Sequence, residues 1–173
     1  MSEVLTPSGV AVRVAVPTDA TRISEVAFRS KAHWGYDAQF MQACRDDLTI
    51  RAEECDGERV VVAVRDGEII GYYHLTGTPP SGELADLFVD PSAIGSGIGG
   101  LLYRDAMKRA RQLRFRELTL DADPHAEDFY LHMGAVRIGE VSSTAIPGRS
   151  LPQLRADLTD AEDTQRGSTA GRG

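Results

Sequence analysis

An α/β fold, a mixed and largely antiparallel sheet with helices on both faces, is what this sequence predicts, and three observations carry the prediction. Strand-like runs at 59–65 (RVVVAVR) and 68–76 (EIIGYYHLT) flank Asp66-Gly67, a two-residue type I′ hairpin signal. A further strand-like run ends in Val89-Asp90-Pro91, and a loop holding Gly95, Gly97, Gly99 and Gly100 leads directly into an amphipathic helix. Beyond that helix come a strand, a short helix and two more strands.

In chain order, residues 10–16 alternate and are β-branched, which predicts a first strand closed by Pro17. Thr18 and Asp19 can cap a helix carrying Ile23, Val26, Ala27 and Ser30 at helical spacing. The segment 31–36 (KAHWGY) breaks that period, and Asp37 can cap a second helix with Phe40, Met41, Cys44 and Leu48 on one side. After the hairpin, Thr78-Pro79-Pro80-Ser81-Gly82 turns the chain into a strand at 83–89. Alternation along it puts Glu83 on the face of Ala85, Leu87 and Val89, with Asp86 opposite.

Ile98, Leu101, Leu102, Ala106, Ala110 and Leu113 mark the core face of the helix after the glycines. Residues 117–122 read as a strand. Asp123 caps a short helix with Pro124 at its first position, Ala126, Phe129, Tyr130 and Met133 inward, and Gly134 as its stop. The last strands fall at 136–141 and 150–158. Residues 1–158 form a single predicted domain, and the tail 159–173 has too little to bury and is expected to be disordered.

A chain of 173 residues can bury a core without staples. Net charge of −7 and a pI near 5.1 argue against nucleic acid and anionic membrane as partners. The cluster Lys108, Arg109, Arg111, Arg114 and Arg116 reads as a solvated helix face. No apolar run reaches the length of a membrane span, and the acidic start Met1-Ser2-Glu3 without an apolar stretch predicts no secretory leader and a cytoplasmic address. Cys44 and Cys55 read as reduced structural thiols.

The glycine loop is suited to phosphate: glycines leave backbone N–H groups unshielded, and a helix start adds partial positive charge. Taken alone, residues 95–100 (GSGIGG) fit G-x-G-x-x-G, and Asp121 stands where a dinucleotide site would want a ribose ligand. The elements argue otherwise. Residues 90–94 separate strand from glycines, the upstream part is an antiparallel meander, and too little chain follows Asp121 for a second βαβαβ half.

The motifs and their order resemble the GNAT superfamily of N-acetyltransferases across nearly all of 10–158. Its signature Q/R-x-x-G-x-G/A is matched at 94–99 (IGSGIG), with Ile94 in the slot of the usual Gln or Arg. Its hydrophobic-Asp-Pro turn is matched by Phe88-Val89-Asp90-Pro91, and its A-x-x-F/L-Y-x-x-x-G-A/F segment by 126–135 (AEDFYLHMGA). The resemblance implies a GNAT-type acyl-CoA N-acyltransferase fold and transfer of acetyl from acetyl-CoA to a primary amine; the acceptor is open between small molecules and a protein N-terminus or lysine, with a small molecule expected ahead of a protein. It implies that Gly95, Ser96, Gly97, Ile98, Gly99 and Gly100 hold the coenzyme A pyrophosphate, and that Leu87, Phe88 and Val89 bind the pantetheine arm by main-chain hydrogen bonds. It puts the general acid on Tyr130 and the base on Glu83, with Asp86 as the other carboxylate. Trp34 and Tyr36 would shape the acceptor pocket, with Arg149 a weaker candidate, and the final strand could pair a homodimer.

Two other readings stay open: a coenzyme A-sensing or partner-binding module of the same fold without turnover, and the dinucleotide site. No metal is expected. The run 121–125 (DADPH) has Ala126 and His132 where a calcium loop needs Gly and Glu.

Overall fold

Valine-rich segments with little to offer water build the centre of a sheet. In the computed structural model, which describes residues 4–5 and 9–159, strands β1 (Val4–Leu5), β2 (Val10–Val14), β3 (Val60–Arg65), β4 (Glu68–Thr78), β5 (Ser81–Val89), β6 (Glu117–Asp121), β7 (Val136–Ser142) and β8 (Ser150–Asp157) form one sheet in the order β1-β2-β3-β4-β5-β6-β8-β7. Every neighbouring pair is antiparallel except β5–β6, which is parallel. Val61, Ala63, Tyr73 and Leu75 bury one face against helices α3 (Ile98–Gln112) and α4 (Glu127–His132). Val60, Val62, Ile69 and Tyr72 bury the other against α1 (Ala20–Ala32) and α2 (Ala38–Cys44).

The expected α/β class holds, and so does the order of the expected helices and strands from residue 10 onward, but a short strand at Val4–Leu5, not expected from the sequence, precedes them and pairs with β2. Asp66 and Gly67 both have positive φ, +51° and +78°, as a type I′ turn requires. Asp37 caps α2, accepting from the Phe40 amide at 2.8 Å. Asp19 does not cap α1 through its side chain. Its carboxylate instead takes the Val16 amide at 2.9 Å and the Arg13 guanidinium at 2.7 Å. The short helix starts at Glu127 rather than at Pro124, because Asp123 closes a turn with Ala126 first. Two cations of the expected solvated face hold α3 in place: Arg109 donates to the Tyr73 hydroxyl at 3.2 Å and Arg111 to the Leu158 carbonyl at 3.3 Å. The expectation of a disordered tail concerns residues beyond 159, outside the described residues.

Two departures from regular pairing shape the functional region. Strand β6 pairs with β5 only at Ser81↔Glu117, Gly82↔Leu118 and Glu83↔Thr119, so the strands fork and no described residue pairs with the rest of the β5 edge on that side. Between β4 and β5 the register slips: Thr76 faces Glu83 and Leu75 faces Leu84, but His74 faces Asp86. Ala85 is the extra residue of a bulge. It reverses the expected parity, so that Glu83 and Asp86 lie on one face with His74, while Leu84 and Leu87 share the other with Leu75 and Tyr73.

Candidate active site

The fork opens into a cleft of about 500 Å³ walled by β5 from 84 to 89, the glycine loop, the end of β6 with Ala122, Asp123, His125 and Ala126, and Phe129 and Tyr130 of α4; Lys31 and Trp34 close one side. The unpaired β5 edge presents main-chain donors and acceptors to whatever enters, the arrangement that lets a sheet edge take an extended ligand. Leu87, Phe88 and Val89 lie on this wall.

Gly95 and Gly97 have φ of +84° and +85°, and a Cβ on either would meet nothing within 4 Å. These residues are therefore glycine for conformation, and the space above the loop is clear. The amides of Gly95, Gly97, Ile98, Gly99 and Gly100 hydrogen-bond to no described residue, the first ladder bond of α3 being Leu101 N–H to the Gly97 carbonyl. Five unengaged donors at a helix start fit a pyrophosphate. Ser96 stands apart. Its amide and hydroxyl both turn to the Ala93 carbonyl, and it does not line the cleft. Ile94 lines the cleft with a side chain that can contribute only apolar contact.

Tyr130 is 7% exposed and packs edge-on against Phe129 at 5.1 Å, yet its hydroxyl hydrogen-bonds to no described residue. Burial first, and then the charge of Asp86, push its pKa above the usual phenol value, so it remains a proton donor at neutral pH. Of the two carboxylates, Asp86 lines the cleft and Glu83 does not. Glu83 sits at the paired end of the fork, where burial and the neighbouring charges of Asp121 and Asp86 raise its pKa while His74 opposes them.

Trp34, 42% exposed, stacks on His125 with ring centroids 5.0 Å apart and planes 5° from parallel, and both line the cleft. Tyr36 lies behind this pair. Its hydroxyl donates to Asp123 at 2.9 Å and accepts from Arg149 at 2.7 Å, and burial with the Asp123 charge pushes its pKa up to about 12. Asp123 also takes Lys31 Nζ at 2.6 Å. Burial alone would raise the Asp123 pKa, but the hydrogen bonds from Lys31, the His125 amide and Tyr36 outweigh it and the net shift is downward. Tyr36 and Arg149 thus brace a cleft wall that Trp34 and His125 present.

Sequence reasoning passed over Asp90, which is 1% exposed. It accepts from Arg29 Nε at 3.0 Å and from the Ser92 amide and hydroxyl at 3.1 and 2.8 Å, with Arg22 at 3.6 Å. This ties α1 to the turn where β5 ends and the glycine loop begins. The Asp-Pro pair was visible, but its partners are far away in sequence.

A model of the acetyltransferase (GNAT) family matches residues 26–135. The chain belongs to the GNAT family. That match runs from the middle of α1 to just past the end of α4, and so contains the fork, the glycine loop and Tyr130. No curated protein sequence matches the chain. Solved structures share this GNAT fold at low identity: PaiA N-acetyltransferase from Thermoplasma acidophilum in complex with coenzyme A (16% identity, 86% of this chain and 98% of that one, TM-score 0.68), the GCN5-related N-acetyltransferase, class-II aminotransferase, from Rhodopseudomonas palustris (22%, 91% and 99%, 0.72), and YncA from Salmonella typhimurium with its cofactor acetyl-CoA (18%, 87% and 95%, 0.62). Among the described residues no helix is long and apolar enough to cross a membrane, and no group of three or more metal-ligating side chains is assembled.

Proposed function

We propose that this GNAT protein transfers acetyl from acetyl-CoA to the primary amine of a small molecule by direct attack. The observation that carries the reading is the convergence on one cleft of five unengaged amides, an unpaired strand edge and the free hydroxyl of Tyr130. The amides of residues 95–100 hold the pyrophosphate, with Ser96 contributing loop geometry rather than a donor. The β5 edge at Leu87, Phe88 and Val89 aligns the pantetheine arm, and a main-chain N–H there polarises the thioester carbonyl. Asp86 accepts the proton of the incoming ammonium, with Glu83 beside it on the same face. Tyr130 protonates the departing thiolate. Trp34 and His125 flank the acceptor, and Tyr36 acts on it through Asp123. The coenzyme A and acetyl-CoA bound in two of the structural relatives support the choice of donor.

Acetyl-CoA at about a hundred times its Kd should add roughly 2.7 kcal/mol, raising Tm by about 5–10 °C for a chain of this size. Thiol release with a panel of amines then separates an enzyme from a sensor. A Tm rise without thiol release favours the sensing module, and a rise with NAD alone overturns the coenzyme A reading.

A further inference from the structure

On the far side of Asp86 from the cleft, the bulge at Ala85 sets His74 opposite that carboxylate in the strand register. His74 is 9% exposed. Its Nδ1 lies 3.8 Å from Asp86 Oδ2 and 3.6 Å from Glu54 Oε2. Glu54 belongs to the 3-10 turn Ala52–Cys55, where its other oxygen caps the Arg51 amide at 3.2 Å and its side chain is 36% exposed. One imidazole nitrogen therefore stands between a carboxylate of the cleft wall and a carboxylate that meets solvent. Neither contact is closed as a hydrogen bond, so a proton crosses to or from either carboxylate only when that gap narrows to hydrogen-bond length. Tyr72, on the same face, is fully buried; its hydroxyl makes no hydrogen bond of full geometry with a described residue but faces Asp86, which together with burial and the charge of Glu54 raises its pKa. Among the described residues, Glu83 of β5 is also in electrostatic range of His74, and Val60 of β3 faces it in the strand register.

We propose that His74 is the hub of a proton exit path from Asp86, at the cleft wall, to Glu54 at the surface. The inference rests on the acetyl-transfer reading, in which an ammonium must lose a proton before it attacks. The N–H bond of the ammonium breaks as an O–H bond forms on Asp86. Asp86 passes that proton to the Nδ1 lone pair of the Nε2–H tautomer of His74, and the resulting imidazolium passes it from the same Nδ1 to Glu54, which releases it to water. Asp86, His74 and Glu54 end as they began. His74 touches neither substrate, so it acts through Asp86.

The test uses acetyl-CoA with n-butylamine, 1,4-diaminobutane, phenethylamine and L-lysine as probes. His74→Gln should lower kcat by about 10- to 100-fold, with acetyl-CoA Kd by calorimetry within about twofold of wild type. His74→Ala should regain activity on addition of imidazole, which a packing defect would not do, and Glu54→Gln should lower kcat by less than His74→Gln. A His74→Gln enzyme with wild-type kcat and pH profile, or a folded His74→Ala enzyme that imidazole does not rescue, overturns the path. Wild type that acetylates none of the amines counts against the proposed function instead. In that case the path is read by NMR titration of the His74 ring, which should shift in both Glu54→Gln and Asp86→Asn. A titration unmoved by both overturns the hub.

Discussion

At Tyr130 a phenyl ring would keep every packing contact with Phe129 and Tyr103 and lose only a hydroxyl that no described residue engages. Tyr130→Phe should therefore leave folding and acetyl-CoA affinity nearly intact while lowering kcat by about 10²- to 10⁴-fold; steady-state kinetics with an unchanged kcat would remove Tyr130 from the mechanism. Asp90 is the opposite kind of residue, a carboxylate with structural partners on every side. Asp90→Ala strands the Ser92 amide and loosens Arg29 from the loop, and should cost about 2–3 kcal/mol in chemical denaturation, with weaker acetyl-CoA binding because the turn before Gly95 loses its tie to α1. A variant as stable as wild type would contradict this. Tyr130 was legible in sequence because it sits in a short motif beside Phe129. The partners of Asp90 were not, since Arg29 lies 61 residues earlier and no local pattern links them. Asp123 was read as a cap, and its ion pair with Lys31, 92 residues away, was hidden for the same reason.

Secondary-structure elements were the most legible level, because the hairpin, the glycine loop and the helix period each announce themselves locally. What alternation could not disclose is the bulge in β5. An extra residue at Ala85 moves no apolar residue out of a plausible pattern, yet it carries Glu83 and Asp86 to the same face and makes His74 their neighbour. The fork was equally silent, since which residues of β5 lack a partner depends on where β6 ends its pairing. Within the glycine loop, the positive φ of Gly97 makes a local prediction. Gly97→Ala adds a Cβ that clashes with nothing but strains the backbone by about 1–2 kcal/mol, which lowers Tm by roughly 2–8 °C for a chain of this size and places a methyl group in the phosphate cradle. Acetyl-CoA affinity should fall with it, and calorimetry showing wild-type Kd would separate the loop from phosphate binding.

Across the whole molecule, the carboxylates divide by the sign of their effect on stability. Asp90 and Asp123 have folded pKa values below their unfolded ones, despite burial that alone would raise them. Their contribution is complete above the unfolded carboxylate value of about 3.9 and is lost as pH falls through the folded values, so thermal melts should hold steady near neutrality and decline below about pH 4. Glu83, raised by burial and by the charges of Asp121 and Asp86, has the opposite sign: it is least favourable when ionised, so Glu83→Gln should raise Tm at neutral pH, and a lowered Tm would contradict its placement. In direct transfer, acetyl reaches an amine in the cleft without passing through the protein. Incubation with 13C-acetyl-CoA and the amine panel, followed by mass spectrometry of both the amines and the intact chain, measures this directly. The predicted result is label on an amine with none on the protein; label retained on the chain, or coenzyme A released with every amine unlabelled, would contradict it.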